Sequence, residues 1–348
     1  MAESETRNRH HYHVKNNLPS NITCNSWLTD LIDAIGIRKV LTAPAELVRT
    51  EWSLCSLSDA ELSRIDELVK ICSLPCVDFS AVEEIPYDNA RPYRQWVQEW
   101  FPKLKVNELK LFNENCEEFG YFLFDTIQQL YDSKTRGNQL PYEVNYQVLF
   151  EKFLKLFELK IKTQPCLPTG NATIFGQEVI SSKADILCTK CDDPSKILSV
   201  CSEVKRSPSD GTEYSPVNKK LRTELPTLAT DNEEESTSTR PTGGLSSDVY
   251  AQHVGELLAY YESSALKRGL LGVIFQKTNI SFTFLKIKPA SYEKIKRRNP
   301  QVVLDPAMDE QPILFYTEQF NFLKYQDRKT IFKALLTMRM MDIKSWDY

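Results

Sequence analysis

The residues best suited to chemistry lie between 183 and 205, in KADILCTKCDDPSKILSVCSEVK. Two short apolar runs are joined by a polar turn; the first begins at Asp185 and the second ends in Glu203-Val204-Lys205. Charged side chains in strands of this kind are costly to bury unless something compensates them. For two carboxylates a hard divalent cation does so, because it takes oxygen ligands. Strand alternation places Ile197, Ser199, Cys201, Glu203 and Lys205 on one face and Leu198, Val200, Ser202 and Val204 on the other, so Glu203 and Lys205 share a face. Asp192-Asp193-Pro194-Ser195 supplies turn chemistry between the two strands. Cys188-x-x-Cys191 with Cys201 hints at zinc, but no fourth ligand follows at a usable spacing, and these cysteines read as reduced core thiols. His10, His11 and His13 lie in a polar tail and read as solvated.

Other elements must position these groups. Tyr146, Leu149, Phe150, Phe153, Leu154 and Phe157 form one stripe at helical spacing, which predicts an amphipathic helix over 142–159. Glu143 projects about 60° from the middle of that stripe and is the inward-leaning acid, whereas Glu151 and Glu158 read as solvated. After it come short strands: ELKIKTQ, TIFGQEVI beyond a break at Thr169-Gly170-Asn171, then the pair above. From Arg206 to about Ser247 the composition turns to Ser, Thr, Pro and charge, which reads as a disordered insert. Within it Lys205-Arg206, twelve residues and Lys219-Lys220-Leu221-Arg222 have the spacing of a bipartite nuclear import signal or of a solvated charge run.

A second helix follows, capped by Asp248, with a large apolar face of Tyr250, Val254, Leu257, Leu258, Tyr261 and Ala265. Opposite runs a small-residue stripe, Gly255, Ala259 and Ser263, headed by Gln252, a pattern that predicts packing between two layers. His253 reads as a plain helix residue. LLGVIFQKTNISFTFLKIK then predicts two strands around a turn near Lys277 to Asn279. Toward the N-terminus, Ser58-x-x-Glu61 is a capping box that starts a helix over 59–73. Further helices are predicted from Ser26 to Ile35, over 91–101 and over 115–132. The tail carries a basic stretch, SYEKIKRRNP, and a closing helix in YQDRKTIFKALLTMRMMDI.

The 348 residues thus divide into a disordered tail over 1–20, a helical region over 21–135, an α/β core over 141–290 with its insert at 206–247, and a mixed extension over 291–348. Composition is that of a globular chain, 41% hydrophobic and 26% charged, and a net charge of -4 argues against a wholly basic nucleic-acid coat while leaving room for a local basic groove. No apolar run is long enough to span a bilayer, and the first residues lack the apolar core of a signal peptide, so a nuclear or cytoplasmic location is expected, without a membrane.

In the order helix, strands bearing Asp185 and Glu203-x-Lys205, helix with Gln252, then strands, residues 141–288 resemble the PD-(D/E)xK nuclease superfamily, which has a restriction-endonuclease-like core of helix, β-meander, helix and strand. The resemblance implies that Asp185, Glu203 and Glu143 bind a catalytic Mg²⁺ or Mn²⁺. It also implies that Lys205 is the motif lysine, that Gln252 matches a helix glutamine of some branches, and that the substrate is nucleic acid, DNA by expectation. Magnesium on hard carboxylate oxygens can activate water and absorb charge on a phosphate, and a lysine on the same face can neutralise developing charge. The chain departs from the pattern where Ala184 precedes Asp185, where 18 residues separate Asp185 from Glu203, and where Glu256 stands in place of a tyrosine.

Plainer readings stay open at this stage. Glu203 and Lys205 could pair on an edge strand, Asp185 could form a turn, and Glu143 could complement a helix dipole. Two other functions fit: a nuclease-like scaffold without chemistry that binds nucleic acid or protein through patches such as 216–222 and 292–298, and a helical interaction protein whose N-terminal region binds a partner.

Overall fold

The computed structural model of the chain describes residues 22–23, 35–72, parts of 114–129, 143–174, 176–203, 247–297 and 311–345. Among these, a mixed sheet of eight strands divides the protein into two layers. In chain order the strands are β1 (Ile22–Thr23), β2 (Arg38–Leu41), β3 (Lys160–Thr163), β4 (Gly170–Ile174), β5 (Gln177–Ser182), β6 (Ile186–Thr189), β7 (Ile197–Glu203), β8 (Gly269–Gln276), β9 (Asn279–Lys286), β10 (Ile313–Tyr316) and β11 (Phe320–Asn321). The main sheet runs β2-β10-β9-β8-β7-β6-β3, with β11 also on β9, and β1-β5-β4 form a separate small sheet. The described helices include α1 (Asp59–Cys72), α2 (Glu143–Lys155), α3 (Ser247–Tyr260), α4 (Pro289–Arg297) and α5 (Tyr325–Lys344). The fold is mixed α/β.

The centre of the sheet has a simple logic. β3, β6 and β7 pair antiparallel as a meander, into which the β4–β5 hairpin is inserted. The chain then returns through α3 to lay β8 parallel to β7, and a two-residue turn sends β9 back antiparallel. That turn falls where expected, with Lys277 in the left-handed region at φ 54°. The Asp193 turn also forms: its Oδ1 accepts from Ser195 N at 3.0 Å, and its carbonyl accepts from Lys196 N at 2.9 Å.

One layer is aromatic. Tyr146, Leu149, Phe150, Phe153, Leu154 and Phe157 of the predicted stripe are all buried. Phe150 stacks on Phe275 of β8 at 4.6 Å and Phe153 on Phe322 at 4.7 Å, while Phe157 meets Phe332 of α5 edge-on at 4.9 Å. Buried residues of α1 and of the helical turn 44–52, such as Ile65, Leu47 and Trp52, join the same core, and Phe119 packs on Phe153 at 5.7 Å. The capping box is present: Ser58 N donates to Glu61 Oε2 at 2.6 Å and Glu61 N to Ser58 Oγ at 3.3 Å. The helix over 142–159 stops at Lys155, and Glu158 follows with φ 56°. Glu151 and Glu158 are not simply solvated, since Glu151 pairs with Lys155 at 2.7 Å and Glu158 with Arg339 at 3.4 Å.

On the other side, α3 lies between the two sheets, touching β7 and β8 as well as β4 and β5. This is the predicted two-layer packing. Gly170 of β4 comes so close to α3 that an added Cβ would lie 3.0 Å from the Ala259 carbonyl, so the Ala259 end of the small-residue stripe faces the small sheet. α3 ends at Tyr260 and gives way to a short 3₁₀ turn, Tyr261–Ser263, so Ala265 packs in the aromatic layer instead of on the helix.

Three strand assignments also change. TIFGQEVI is not one strand, because β4 already includes Gly170 and Asn171 and the reversal uses Gly176 at φ 76°. Strand β2, in a region whose spacing showed only helices, pairs parallel with β10. In β7 the alternation is broken by a bulge: Cys188 pairs with Ser199 but Thr189 with Ile197, leaving Leu198 extra. Ile197 therefore packs in the α3 layer and Leu198 in the aromatic layer, the reverse of strict alternation. Most of the predicted helix from Ser26, the helix over 91–101, the insert at 206–246 and the whole of the tail 1–20 lie outside the described residues.

Candidate functional site

Beyond the bulge the alternation of β7 is regular. Val200 packs in the α3 layer and Cys201 in the aromatic layer, while Ser202 reaches α3. Glu203 is the last residue of β7 and pairs with Phe275. Asp185 immediately precedes β6, whose first residue Ile186 pairs with Cys201. The two acids therefore stand at the same end of neighbouring strands. Asp185 is half-buried, and its backbone carbonyl accepts from Gln147 Nε2 on α2 at 3.1 Å. Glu143 is the first residue of α2, one turn before Gln147 and on the same helix face.

Two buried thiols lie on β6 and β7 near this end. Cys188 and Cys201 are fully buried in the aromatic layer. The hydrogen bond with Cys188, then burial and the charge of Cys188, push the Cys201 thiol well above its ordinary value, with Asp185 adding the smallest push. Cys191 sits apart, its sulfur 3.3 Å from Arg339 Nη1. Lys205 lies outside the described residues, as does the import-signal spacing that includes it. The carboxylate chemistry of Asp185, Glu203 and Glu143 suits Mg²⁺ or Mn²⁺, which take oxygen ligands. Among the described residues no three His, Cys, Asp or Glu side chains gather as a metal-holding group.

Gln252 is placed with a different set of residues. Its Nε2 donates to Glu256 Oε1 at 3.3 Å, and the other carboxylate oxygen of Glu256 accepts from Ser202 Oγ in a short hydrogen bond. Ser202 Oγ also meets His253 Nδ1 at 2.6 Å, and His253 Nε2 meets Thr283 Oγ1 of β9 at 2.7 Å. The core of this chain is dry: exposure is 4% for Ser202 and Glu256, 1% for His253 and 0% for Thr283. The protons can be counted. The single Ser202 proton goes to Glu256, so His253 must carry its proton on Nδ1, and Nε2 accepts from Thr283. Burial holds the imidazole neutral, lowering its pKa to about 3. His253 is thus far from a plain helix residue. The signal that could have found it is Gly272 of β8, where any Cβ would overlap His253 Nε2 and Thr283 Oγ1.

Two cations of 292–298 have acidic partners. Lys296 pairs with Glu262 at 2.6 Å and with Glu293 at 3.5 Å, and Arg297 pairs with Glu293 at 3.4 Å. No described helix is long and apolar enough to cross a membrane. Comparison with known protein-family models and with curated protein sequences finds no match to this chain.

Proposed function

We propose that the chain is a phosphodiester-hydrolysing nuclease of the PD-(D/E)xK type, or a domain descended from one, that acts on DNA with Mg²⁺ or Mn²⁺. The observation that carries this reading is the joint placement of topology and acids. A three-stranded meander, a helical crossover and a parallel fourth strand bring Asp185 and Glu203 to the same end of adjacent strands, with the Asp185 backbone bonded to Gln147 of α2.

A bound divalent ion would supply Lewis-acid polarisation of the phosphate and a more acidic water. Asp185, Glu203 and Glu143 are the residues that would hold it. Gln147 fixes the backbone of Asp185 against α2, which limits the freedom of that acid before any ligand binds. Lys205, two residues beyond the end of β7, would offset charge on the phosphate oxygens. Gln252 acts through Glu256, on the α3 side.

The test is cleavage of supercoiled plasmid by the full chain with and without Mg²⁺, comparing wild type with Asp185→Ala and Lys205→Ala. Metal-dependent nicking confined to the wild type supports the reading. Equal activity in all three contradicts it. DNA binding that weakens steeply with salt, without turnover, would instead favour a scaffold role.

A further inference from the structure

We infer that Tyr260, the last residue of α3, is a positioning residue for Asp185: its hydroxyl and the Gln147 amide clamp, from the two helices that cover the sheet, the link that carries this acid. The inference rests on the nuclease reading for its object, but its evidence is the hydrogen bonding of the link. Strand β5 ends at Ser182 and β6 begins at Ile186, so Asp185 lies outside both ladders. Connections of this kind are ordinarily the more mobile part of a fold. The register of β6 on β7, with Ile186 against Cys201, sets Asp185 opposite Ser202 on the α3 side. Holding it there takes contacts from beyond the sheet.

Tyr260 supplies three of them. Its hydroxyl lies 2.8 Å from the Pro168 carbonyl and 3.1 Å from the Ser182 carbonyl, and it accepts from Ala184 N at 3.2 Å. A phenol has one proton to give, so the two carbonyls share it while the oxygen takes the amide. Gln147 Nε2 donates to the Asp185 carbonyl at 3.1 Å. Backbone groups on either side of the acid are thus held, one side by each helix. The ring has a place made for it, since a Cβ added to Gly170 of β4 would lie 3.0 Å from Tyr260 Cδ1 and Cε1. Tyr260 is 2% exposed and Ala184 is fully buried, so no bulk water replaces the bond between them. Phenylalanine would fill the same space and make none of these bonds. The next residue, Tyr261, offers a contrast: its hydroxyl also meets two carbonyls, those of Lys267 and Ile287 at 2.8 Å each. These flank the start of β8 and the end of β9, whereas Asp185 neighbours the part of β7 that pairs with the far end of β8.

The experiment uses the full chain and compares Tyr260→Phe with Tyr261→Phe, each of which removes one buried hydroxyl, and with Gln147→Leu, which releases the other side of the link. Three quantities are read: stability by denaturant unfolding, amide hydrogen exchange over 182–186, and steady-state cleavage of a DNA duplex with Mg²⁺. The two tyrosine variants should lose comparable stability. Only Tyr260→Phe and Gln147→Leu should exchange faster over 182–186, and both should lose about tenfold or more in kcat with KM unchanged, as misplacement of a reacting group does. Tyr261→Phe should keep the wild-type kcat. Were Tyr260→Phe to unfold, the kcat of Gln147→Leu decides alone. An unchanged kcat despite faster exchange, or an equal loss in Tyr261→Phe, would overturn the positioning role and leave the nuclease reading standing. A wild type that cleaves no DNA would overturn that reading, and this role with it.

Discussion

The two helices that cover the central sheet do so by different physics. α2 meets it chiefly through rings, with Phe150 on Phe275 and Phe153 on Phe322 in a largely apolar layer. α3 adds to its apolar residues a dry polar chain from Gln252 to Thr283. Apolar contact is nearly non-directional and scales with area, so the α2 layer supplies much of the stability but tolerates small displacements. Hydrogen bonds are worth little net when made and much when broken, so the α3 layer selects one arrangement among several. Asp185 stands just before the start of β6 and Glu203 at the end of β7, strands that both layers cover.

The largest expected effect is in the aromatic layer. Phe153→Ala should cost about 3–5 kcal/mol, measured by denaturant unfolding, because the ring packs against five other rings and leaves a cavity when removed. A loss below 1 kcal/mol would mean that α2 packs less closely than described. In the polar layer Gly272→Ala should cost about 1–3 kcal/mol, since the new methyl overlaps His253 and Thr283. Combining it with His253→Ala should recover part of that loss, and strict additivity in the double-mutant cycle would argue against the contact.

A smaller effect separates the layers by pH. The buried imidazole of His253 has its folded value depressed from 6.5 to about 3. As pH falls below 6.5 the unfolded chain takes up this proton while the folded protein does not. The contribution is therefore complete above 6.5 and is lost toward pH 3, at up to about 1.4 kcal/mol per pH unit. Unfolding free energies of wild type and His253→Gln between pH 7 and 4 should differ in slope by that amount at most. Parallel slopes would show that His253 is not buried neutral.

How much of this was legible in the sequence follows from the kind of signal each feature leaves. The α2 stripe, the Ser58 cap and the Asp193 turn rest on local rules, and each appears at its expected residues. The neighbouring placement of Asp185 and Glu203 was legible too, because a short polar turn between two strands makes them antiparallel partners. The bulge at Leu198 was not, since an extra residue in one strand shows only against its partner. Strand β2 was hidden because its four residues include two exposed charges and pair with β10 far along the chain. His253 was misread because the space its ring occupies is made by a missing side chain at Gly272, on another strand. The acidic neighbours of the 292–298 stretch were not legible either, since Lys296 meets Glu262 from a different helical segment.

The central claim is that the acids at the start of β6 and the end of β7 hold one divalent ion between them. Titration of the full chain with Mn²⁺, repeated on Asp185→Asn and Glu203→Gln, tests it most directly. One bound ion in the wild type, with binding lost in each variant separately, is the predicted result. Binding that survives both substitutions, or is absent from the wild type, would contradict it.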